Sequence, residues 1–310
     1  MIVKPVLTPR AGGHPGAIAL CRLAPSDTIS RMSSEPFEIH GALVTLPLPP
    51  KKTRPLDGFW MPGRRANPRL LIFVHGMGGN FYRSQFRKQL MLDAPHAGVD
   101  TLMFNNRGAE RDVSTEKFRD CLADLDAALA FAKRKGYREV ALMGTSTGCQ
   151  KITYFQSVRK NPLVKALVLS AIADDFAISK RDLGKAHSSW VKKAKRLVKA
   201  GRGDTILPKC NGFAAHRFLS VADESQIEAQ LFNFNGPIRH YRKVSIPVLA
   251  LLPEKEQYAC IPISGAEKIL RANSCSQKFD SVIIPEADHS FHGCEPAASR
   301  ATFRWLNQTM

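Results

Sequence analysis

The sequence lacks the features that identify several common protein classes. Its seven cysteines are scattered, with no Cys-x-x-Cys pair and no Cys/His cluster, so neither a zinc site nor a disulfide framework is expected. No apolar run approaches the roughly 20 residues that a transmembrane helix needs. A Gly-x-x-x-x-Gly-Lys phosphate-binding loop is also absent. We therefore expect no metal, no cofactor and no membrane span.

Acidic residues are also scarce. The 310-residue chain has 27 Asp and Glu against 45 Lys and Arg, which gives a net charge of +18. Such an excess attracts anionic partners, but no recognisable nucleic-acid-binding module accompanies it. We therefore predict no specific nucleic-acid partner and consider an anionic small molecule instead. Residues 1–34 are basic and contain many Gly and Pro, which predicts a flexible tail rather than a targeting peptide, and a cytoplasmic location.

Short apolar runs bounded by turn residues recur along the chain. Residues 70–74 form a continuous apolar run, as expected for a central strand that is buried on both faces. Apolar residues at spacings of three and four between Phe118 and Ala132 predict a helix that ends at Gly136. The alternation of such segments predicts an α/β fold with a mostly parallel sheet flanked by helices. The predicted strands are residues 37–48, 55–61, 70–74, 100–104, 139–143, 163–170, 246–252 and 279–284, with further helices at 149–158 and around 302–306.

The alternation is interrupted between the sixth and seventh predicted strands. Residues 175–243 show the patterns of helices and loops, so we predict a cap inserted between two parts of the core, residues 35–174 and 244–310. One cap segment, residues 190–200, has two faces. It carries Trp190, Ala194, Leu197 and Val198 on one side, and Lys192, Lys193, Lys195, Arg196 and Lys199 on the other. The basic face is either a solvated helix surface or a rim that guides an anionic substrate.

The segment Gly144-Thr145-Ser146-Thr147-Gly148 has the pattern Gly-x-Ser-x-Gly. It follows an apolar run and precedes a predicted helix, which is the order that a nucleophile elbow needs. Glycines at positions 144 and 148 let the strand and the helix approach each other closely. Ser146 is therefore the candidate nucleophile. A serine at this position favours acyl transfer over reactions that proceed through a carboxylate ester.

A serine nucleophile requires a base and an acid that orients the base. His289 follows the last predicted strand and is preferred to His292 as the base. The acid is expected after the penultimate strand, where Glu256 is the first choice and Glu254 the second. Asp174, after the sixth strand, is a third choice. Asp288, adjacent to His289, points elsewhere on an extended chain.

An oxyanion hole is predicted directly after the third strand, where His75 and Gly76 begin a glycine-rich loop. The expected donors are the backbone N–H groups of Met77 and of Thr147, the residue after the nucleophile. The oxyanion loop, serine, acid and histidine then occur in the chain order that α/β-hydrolases share. Four independent features in this order argue strongly for a single active site.

Three motifs extend this picture: residues 75–82 (HGMGGNFY), 105–108 (NNRG) and 144–150 (GTSTGCQ). They resemble the α/β-hydrolase superfamily. More narrowly, they are similar to a family of uncharacterised hydrolases that carries a domain-of-unknown-function label and includes fungal siderophore-ester hydrolases. The cap segment that runs from residues 206–208 through residues 217–220 shares the similarity. Relatives usually have His in place of Thr145 and Asp in place of Glu256. The resemblance implies hydrolysis of an ester or a related acyl compound.

The leading hypothesis is a serine hydrolase that cleaves a small-molecule ester, thioester or amide through an acyl-serine, with a carboxylic ester favoured. Two alternatives stay open. The same triad would support an acyltransferase, because both reactions share the acyl-serine. A non-catalytic protein of the same fold could bind an anionic partner through its basic cap.

Overall fold

The chain from residue 39 to residue 310 folds as one unit around a mixed β-sheet. The computed structural model describes residues 37–50, 53–63 and 68–310. The predicted basic tail, residues 1–34, lies outside these ranges. No helix of the described residues is both long and apolar enough to cross a membrane.

Eight of the ten strands in the described part of the chain form the main sheet, and the first two are antiparallel to their neighbours. The elements in chain order are β1 (Ala42–Leu46), β2 (Leu56–Met61), β3 (Arg69–Val74), α1 (Gln85–Asp93), β4 (Asp100–Phe104), α2 (Cys121–Arg134), β5 (Glu139–Thr145), α3 (Thr147–Arg159), β6 (Val164–Ser170), α4 (Asp175–Leu183), α5 (His187–Lys199), β7 (Ile206–Leu207), β8 (Phe213–Ala214), α6 (Ala215–Ala222), α7 (Ile227–Leu231), β9 (Val248–Pro253), α8 (Ile263–Asn273), β10 (Phe279–Ile284) and α9 (Glu295–Asn307). The strand order is β1-β2-β4-β3-β5-β6-β9-β10. The predicted α/β fold with a mostly parallel sheet is confirmed.

The central strands are buried on both faces because helices cover each side of the sheet. In β3, Leu70 and Ile72 face the layer that contains α2 and α3, whereas Leu71 and Phe73 face the layer that contains α1 and α9. This alternation explains why the strand has no polar positions after Arg69. The eight predicted strands of the main sheet are all present, with ends that differ from the predictions by a few residues.

Two helices of the core, α1 and α8, were not predicted. Each is short, with nine and eleven residues, and each contains charged residues among few buried apolar ones. In α1, Phe86, Leu90 and Met91 contact the core at helical spacing, but the buried Arg87 lies between them. The few apolar residues of α1 give a weak periodic signal, whereas Ile263, Ala266 and Leu270 of α8 recur at helical spacing and were overlooked.

Residues 175–243 contribute four helices and the short strands β7 and β8, which pair only with each other in the described structure. The short hairpin was not predicted, because two-residue strands leave no periodic pattern. The boundaries of the predicted core and cap stay a prediction. In α5, Trp190, Ala194 and Leu197 pack in a separate apolar cluster with Phe213 and Phe218, as expected for one face of the helix. Val198 follows Ala194 by one helical turn on this face, but it lies in the last turn of the helix and is 41% exposed.

Candidate active site

Ser146 lies on the sharp turn between β5 and α3. Its backbone has φ 52° and ψ −128°, and its N–H donates to the carbonyl of Ser170 at 3.0 Å. A positive φ is strained for a residue with a side chain, and such strain occurs most often at functional sites. The serine side chain therefore projects from the end of a central strand, as the sequence pattern predicts.

Close approach of three segments fixes this turn. A Cβ at Gly144 would lie 2.4 Å from the carbonyl carbon of Gly148, and a Cβ at Gly148 would lie 2.2 Å from the carbonyl oxygen of Val74. Both distances are far below van der Waals contact, so only glycine fits at either position. A Cβ at Gly76 would lie 2.8 Å from the Cβ of Ser146. The loop after β3 is thus packed directly against the serine.

His289 and Glu256 form a hydrogen-bonded pair beside this turn. The Nδ1 of His289 lies 2.9 Å from Oε1 and 2.8 Å from Oε2 of Glu256. The carboxylate is buried, and its Oε1 also accepts from the N–H of Tyr258 at 2.9 Å. The ring of Tyr258 contacts the imidazole edge to face, with 4.7 Å between centroids. When Nδ1–H donates to the carboxylate, Nε2 of the neutral ring is left as a proton acceptor.

Sheet topology explains why these two residues meet. β9 and β10 are adjacent parallel strands, so the loops that follow them leave the same edge of the sheet. Backbone hydrogen bonds join the loops: the N–H of Lys255 donates to the carbonyl of Ala287 at 2.8 Å. The N–H of His289 donates to Oε1 of Gln257 at 2.9 Å. Both loops are held in register, which places the carboxylate against the imidazole.

The other candidates for the acid and the base have different partners. Glu254 accepts from the backbone N–H of Glu286 at 2.9 Å. Asp174 caps α4 by accepting from the N–H of Ala177 at 2.9 Å, and it also accepts from the N–H of Phe234 at 3.0 Å. His292 is exposed and contacts Asp288 at 2.7 Å. Among the candidates, only Glu256 is hydrogen-bonded to His289.

A cavity of about 550 Å³ opens at this edge of the sheet. Ser146 and His289 both line it, together with Met77 and Thr147, the two predicted oxyanion donors. Its apolar walls come from both the core and residues 175–243, namely Phe73, Phe86, Ile178, Phe213 and Val221. This volume suits a small organic molecule. The structure thus brings the predicted nucleophile, base and oxyanion loop to one concave site.

His75 contacts the backbone of the predicted oxyanion loop. It is fully buried, and its Nδ1 lies 2.7 Å from the carbonyl oxygen of Gly76, to which a protonated Nδ1 donates. Burial, reinforced by the positive charge of Lys151, lowers the pKa of His75 to about 3. The imidazole is therefore neutral at physiological pH and holds the turn that begins at Gly76.

Comparison with known proteins places the chain in a family. Residues 61–308 match the family described as "Protein of unknown function (DUF1749)". The chain belongs to this family. The UPF0613 protein PB24D3.06c of Schizosaccharomyces pombe is 23% identical over 276 residues, which cover 76% of this chain and 84% of the relative. The family resemblance seen in the sequence motifs is thereby confirmed.

Several solved structures of similar fold are named as a hydrolase, an esterase or a lipase. The siderophore hydrolase EstB of Aspergillus fumigatus superposes with a TM-score of 0.65 at 18% identity, over 88% of this chain and 99% of EstB. Est1E of Butyrivibrio proteoclasticus gives 0.61 at 14% identity, over 87% and 99% of the two chains. A monoacylglycerol lipase of Paleococcus ferrophilus gives 0.60 at 16% identity, over 82% and 99%. At these identities the likeness establishes the α/β-hydrolase fold.

The sequence analysis did not predict a cluster of buried charged residues near the candidate site. We name it the buried ion cluster, and it consists of Glu116, Lys151, Arg217 and Glu228. Nζ of Lys151 lies 2.5 Å from Glu116, and Arg217 contacts both Glu116, at 3.3 Å, and Glu228. Burial opposes the charge on Arg217, but Glu228 and Glu116 outweigh it and raise its pKa. The only sequence signal was the position of Arg217 in the motif of residues 217–220.

Asp175 lies between the buried ion cluster and the cavity. It lines the cavity, and its Oδ2 accepts from Nε2 of Gln150 at 2.8 Å. Burial, together with the negative charge of Glu228, raises its pKa well above the usual range.

Within residues 37–50, 53–63 and 68–310, no group of three His, Cys, Asp or Glu side chains could hold a metal ion.

Proposed function

We propose that the protein is a serine hydrolase that cleaves a carboxylic ester through an acyl-serine intermediate, with Ser146, His289 and Glu256 as its triad. The observation that supports this proposal most directly is the hydrogen bond between His289 and Glu256. His289 lines the same cavity as Ser146, whose backbone has a φ of 52°. Thioesters and amides would react by the same route. The names of several structural neighbours, which include a siderophore hydrolase, a lipase and an esterase, support an ester as the substrate.

Each residue of the proposed triad has a defined role. Nε2 of His289 accepts the proton of Ser146 while the serine oxygen attacks the substrate carbonyl. Glu256 keeps the ring oriented and stabilises the imidazolium that forms. The N–H groups of Met77 and Thr147 donate to the oxyanion, and Thr147 is the first residue of α3, where the helix dipole adds positive potential. The imidazolium then protonates the leaving alcohol, and water attacks the acyl-serine by the reverse sequence.

A fluorophosphonate probe tests the nucleophile directly, because it reacts with activated serines. We expect native protein to be labelled at Ser146, and labelling to vanish in Ser146→Ala. Ser290→Ala is the matched control, since Ser290 also lines the cavity but has no role in the mechanism. Absence of labelling in folded wild-type protein would exclude the proposal and favour the non-catalytic alternative. Product analysis with added alcohols would separate hydrolysis from acyl transfer.

A further inference from the structure

Arg87 is a cavity residue that the proposed mechanism does not use. It lies on α1 between the buried residues Phe86 and Leu90, and only 8% of its surface is exposed. It nevertheless lines the same cavity as Ser146 and His289. A guanidinium group is seldom buried to this extent without a partner, because removing a charge from water is costly unless it is paired.

Among the residues that the structure describes, Arg87 has no such partner. Its Nε is buried without a hydrogen bond, and no carboxylate of the described residues forms an ion pair with it. The guanidinium group lies over the ring of Phe73, with its carbon 5.4 Å from the ring centroid. Burial lowers the pKa of Arg87 to about 10, so the group still carries its charge at neutral pH.

Arg217 of the same chain shows how a buried arginine is ordinarily accommodated. It is fully buried, and the carboxylates of Glu228 and Glu116 contact its guanidinium group. Arg87 has burial of the same order but faces the cavity instead of a glutamate. The position that a carboxylate would occupy is therefore available to a bound ligand.

The other charged side chains of the cavity have contacts of their own and do not form an ion pair with Arg87. Asp182 contacts Arg181 at 3.0 Å, and Asp175 is held by Gln150. His289, which also lines the cavity, contacts Glu256. Arg87 is thus an unpaired permanent cation in a site where a neutral ester would need none.

We propose that Arg87 binds a carboxylate carried by the substrate, so that this enzyme acts on esters that bear a negative charge. The inference rests on the proposed function and specifies its substrate class. A planar guanidinium group presents two parallel N–H donors to a carboxylate, which fixes orientation as well as affinity. The excess of basic residues in the chain, +18 overall, would also favour the approach of such substrates.

Matched substrate pairs test this proposal on both sides of the ester bond. On the acyl side, p-nitrophenyl hemiadipate is compared with its neutral methyl ester. On the alcohol side, 4-carboxyphenyl butyrate is compared with its methyl ester. We expect wild-type enzyme to prefer the anion in at least one pair, and Arg87→Gln to lower kcat/KM for that anion roughly 10- to 100-fold, as loss of one charge-assisted pair predicts. The neutral esters should change less than about twofold.

Two variants serve as controls. Lys88→Gln removes a positive charge from the next position of α1, which does not line the cavity, and should retain the preference. Arg87→Lys should retain part of it, since the charge is kept but the two-donor geometry is lost. Fluorophosphonate labelling of Ser146 in each variant reports whether the triad is intact.

The possible outcomes are distinguishable. If labelled wild-type enzyme hydrolyses neutral and anionic esters equally well in both pairs, the substrate inference is wrong and the hydrolase proposal stands. An equal loss of activity toward both members of a pair in Arg87→Gln would likewise contradict carboxylate binding. If wild-type protein is neither labelled nor active on any ester, the proposed function itself fails.

Discussion

At the scale of single residues, Glu256 and Glu254 provide the sharpest comparison, because they lie two positions apart in the same loop. Glu256 is buried and hydrogen-bonded to His289, whereas Glu254 is exposed and accepts a backbone N–H. The two side chains are chemically identical, and only their surroundings differ. If the assignment of the triad is right, only one of them affects catalysis.

We predict that Glu256→Gln lowers kcat/KM for an activated ester by roughly 100- to 10,000-fold, because an amide stabilises the imidazolium poorly and favours the wrong tautomer. Glu254→Gln, the matched control, should stay within about twofold of wild type. Both are measured by release of p-nitrophenol. Equal activity in wild type and Glu256→Gln would assign the orienting acid to another residue.

Residue types and chain order were sufficient to predict much of the candidate site. Ser146 and His289 follow strands in an order that the fold dictates, so their convergence on one cavity could be expected. Arg87 could not be found in this way. Its guanidinium group is buried, and no carboxylate in the described part of the chain pairs with it; such an absence is a property of the packed structure.

At the scale of elements, strands were easier to predict than helices. Strands buried on both faces, such as β3 and β9, are continuous apolar runs, so their positions follow directly from composition. The short helices α1 and α8 bury only four and two residues, and α1 gives a weak periodic signal, whereas the helical spacing of the apolar residues in α8 was overlooked. The order of strands in the sheet depends on long-range pairing that a local pattern does not encode.

The buried ion cluster joins elements that are distant in the chain. Arg217 and Glu228 belong to α6 and α7, while Lys151 belongs to α3, directly behind the turn of Ser146. Glu116 contacts both basic residues. The cluster therefore couples the packing of residues 175–243 to the helix that begins at the nucleophile.

We predict that Arg217→Met lowers the free energy of unfolding by about 3–5 kcal/mol, because it leaves the carboxylates of Glu228 and Glu116 buried with less compensation. The matched control is Arg159→Met, which breaks the exposed pair with Asp126, whose side chains are 44% and 43% exposed. That change should cost no more than about 1 kcal/mol. Urea unfolding followed by circular dichroism measures both, and equal losses would contradict the predicted role of the cluster.

At the scale of the whole molecule, protonation in acid affects stability through several buried groups. Burial lowers the pKa of three histidines: His75, to about 3, as well as His187 and His240. Burial raises the pKa of Asp124, Asp174 and Asp175. The two sets act in opposite directions. The histidines lower the stability as pH falls below 6.5, because the unfolded chain then takes up protons that the folded state does not. The carboxyl groups lower the stability as pH rises above about 4, because the folded state then retains protons that the unfolded chain releases.

The contribution of His75 can be isolated by difference. Between pH 6.5 and pH 3 the unfolded chain binds a proton at this residue and the folded protein does not, so stability is lost as pH falls through this window. From pH 7 to pH 5 the loss amounts to about 2 kcal/mol. We therefore predict that His75→Asn, although less stable at pH 7, loses about 2 kcal/mol less than wild type over this interval. Urea unfolding at both pH values measures the two differences. The exposed His96→Asn variant removes a surface imidazole as the control, and parallel curves for wild type and His75→Asn would show that His75 is protonated equally in both states.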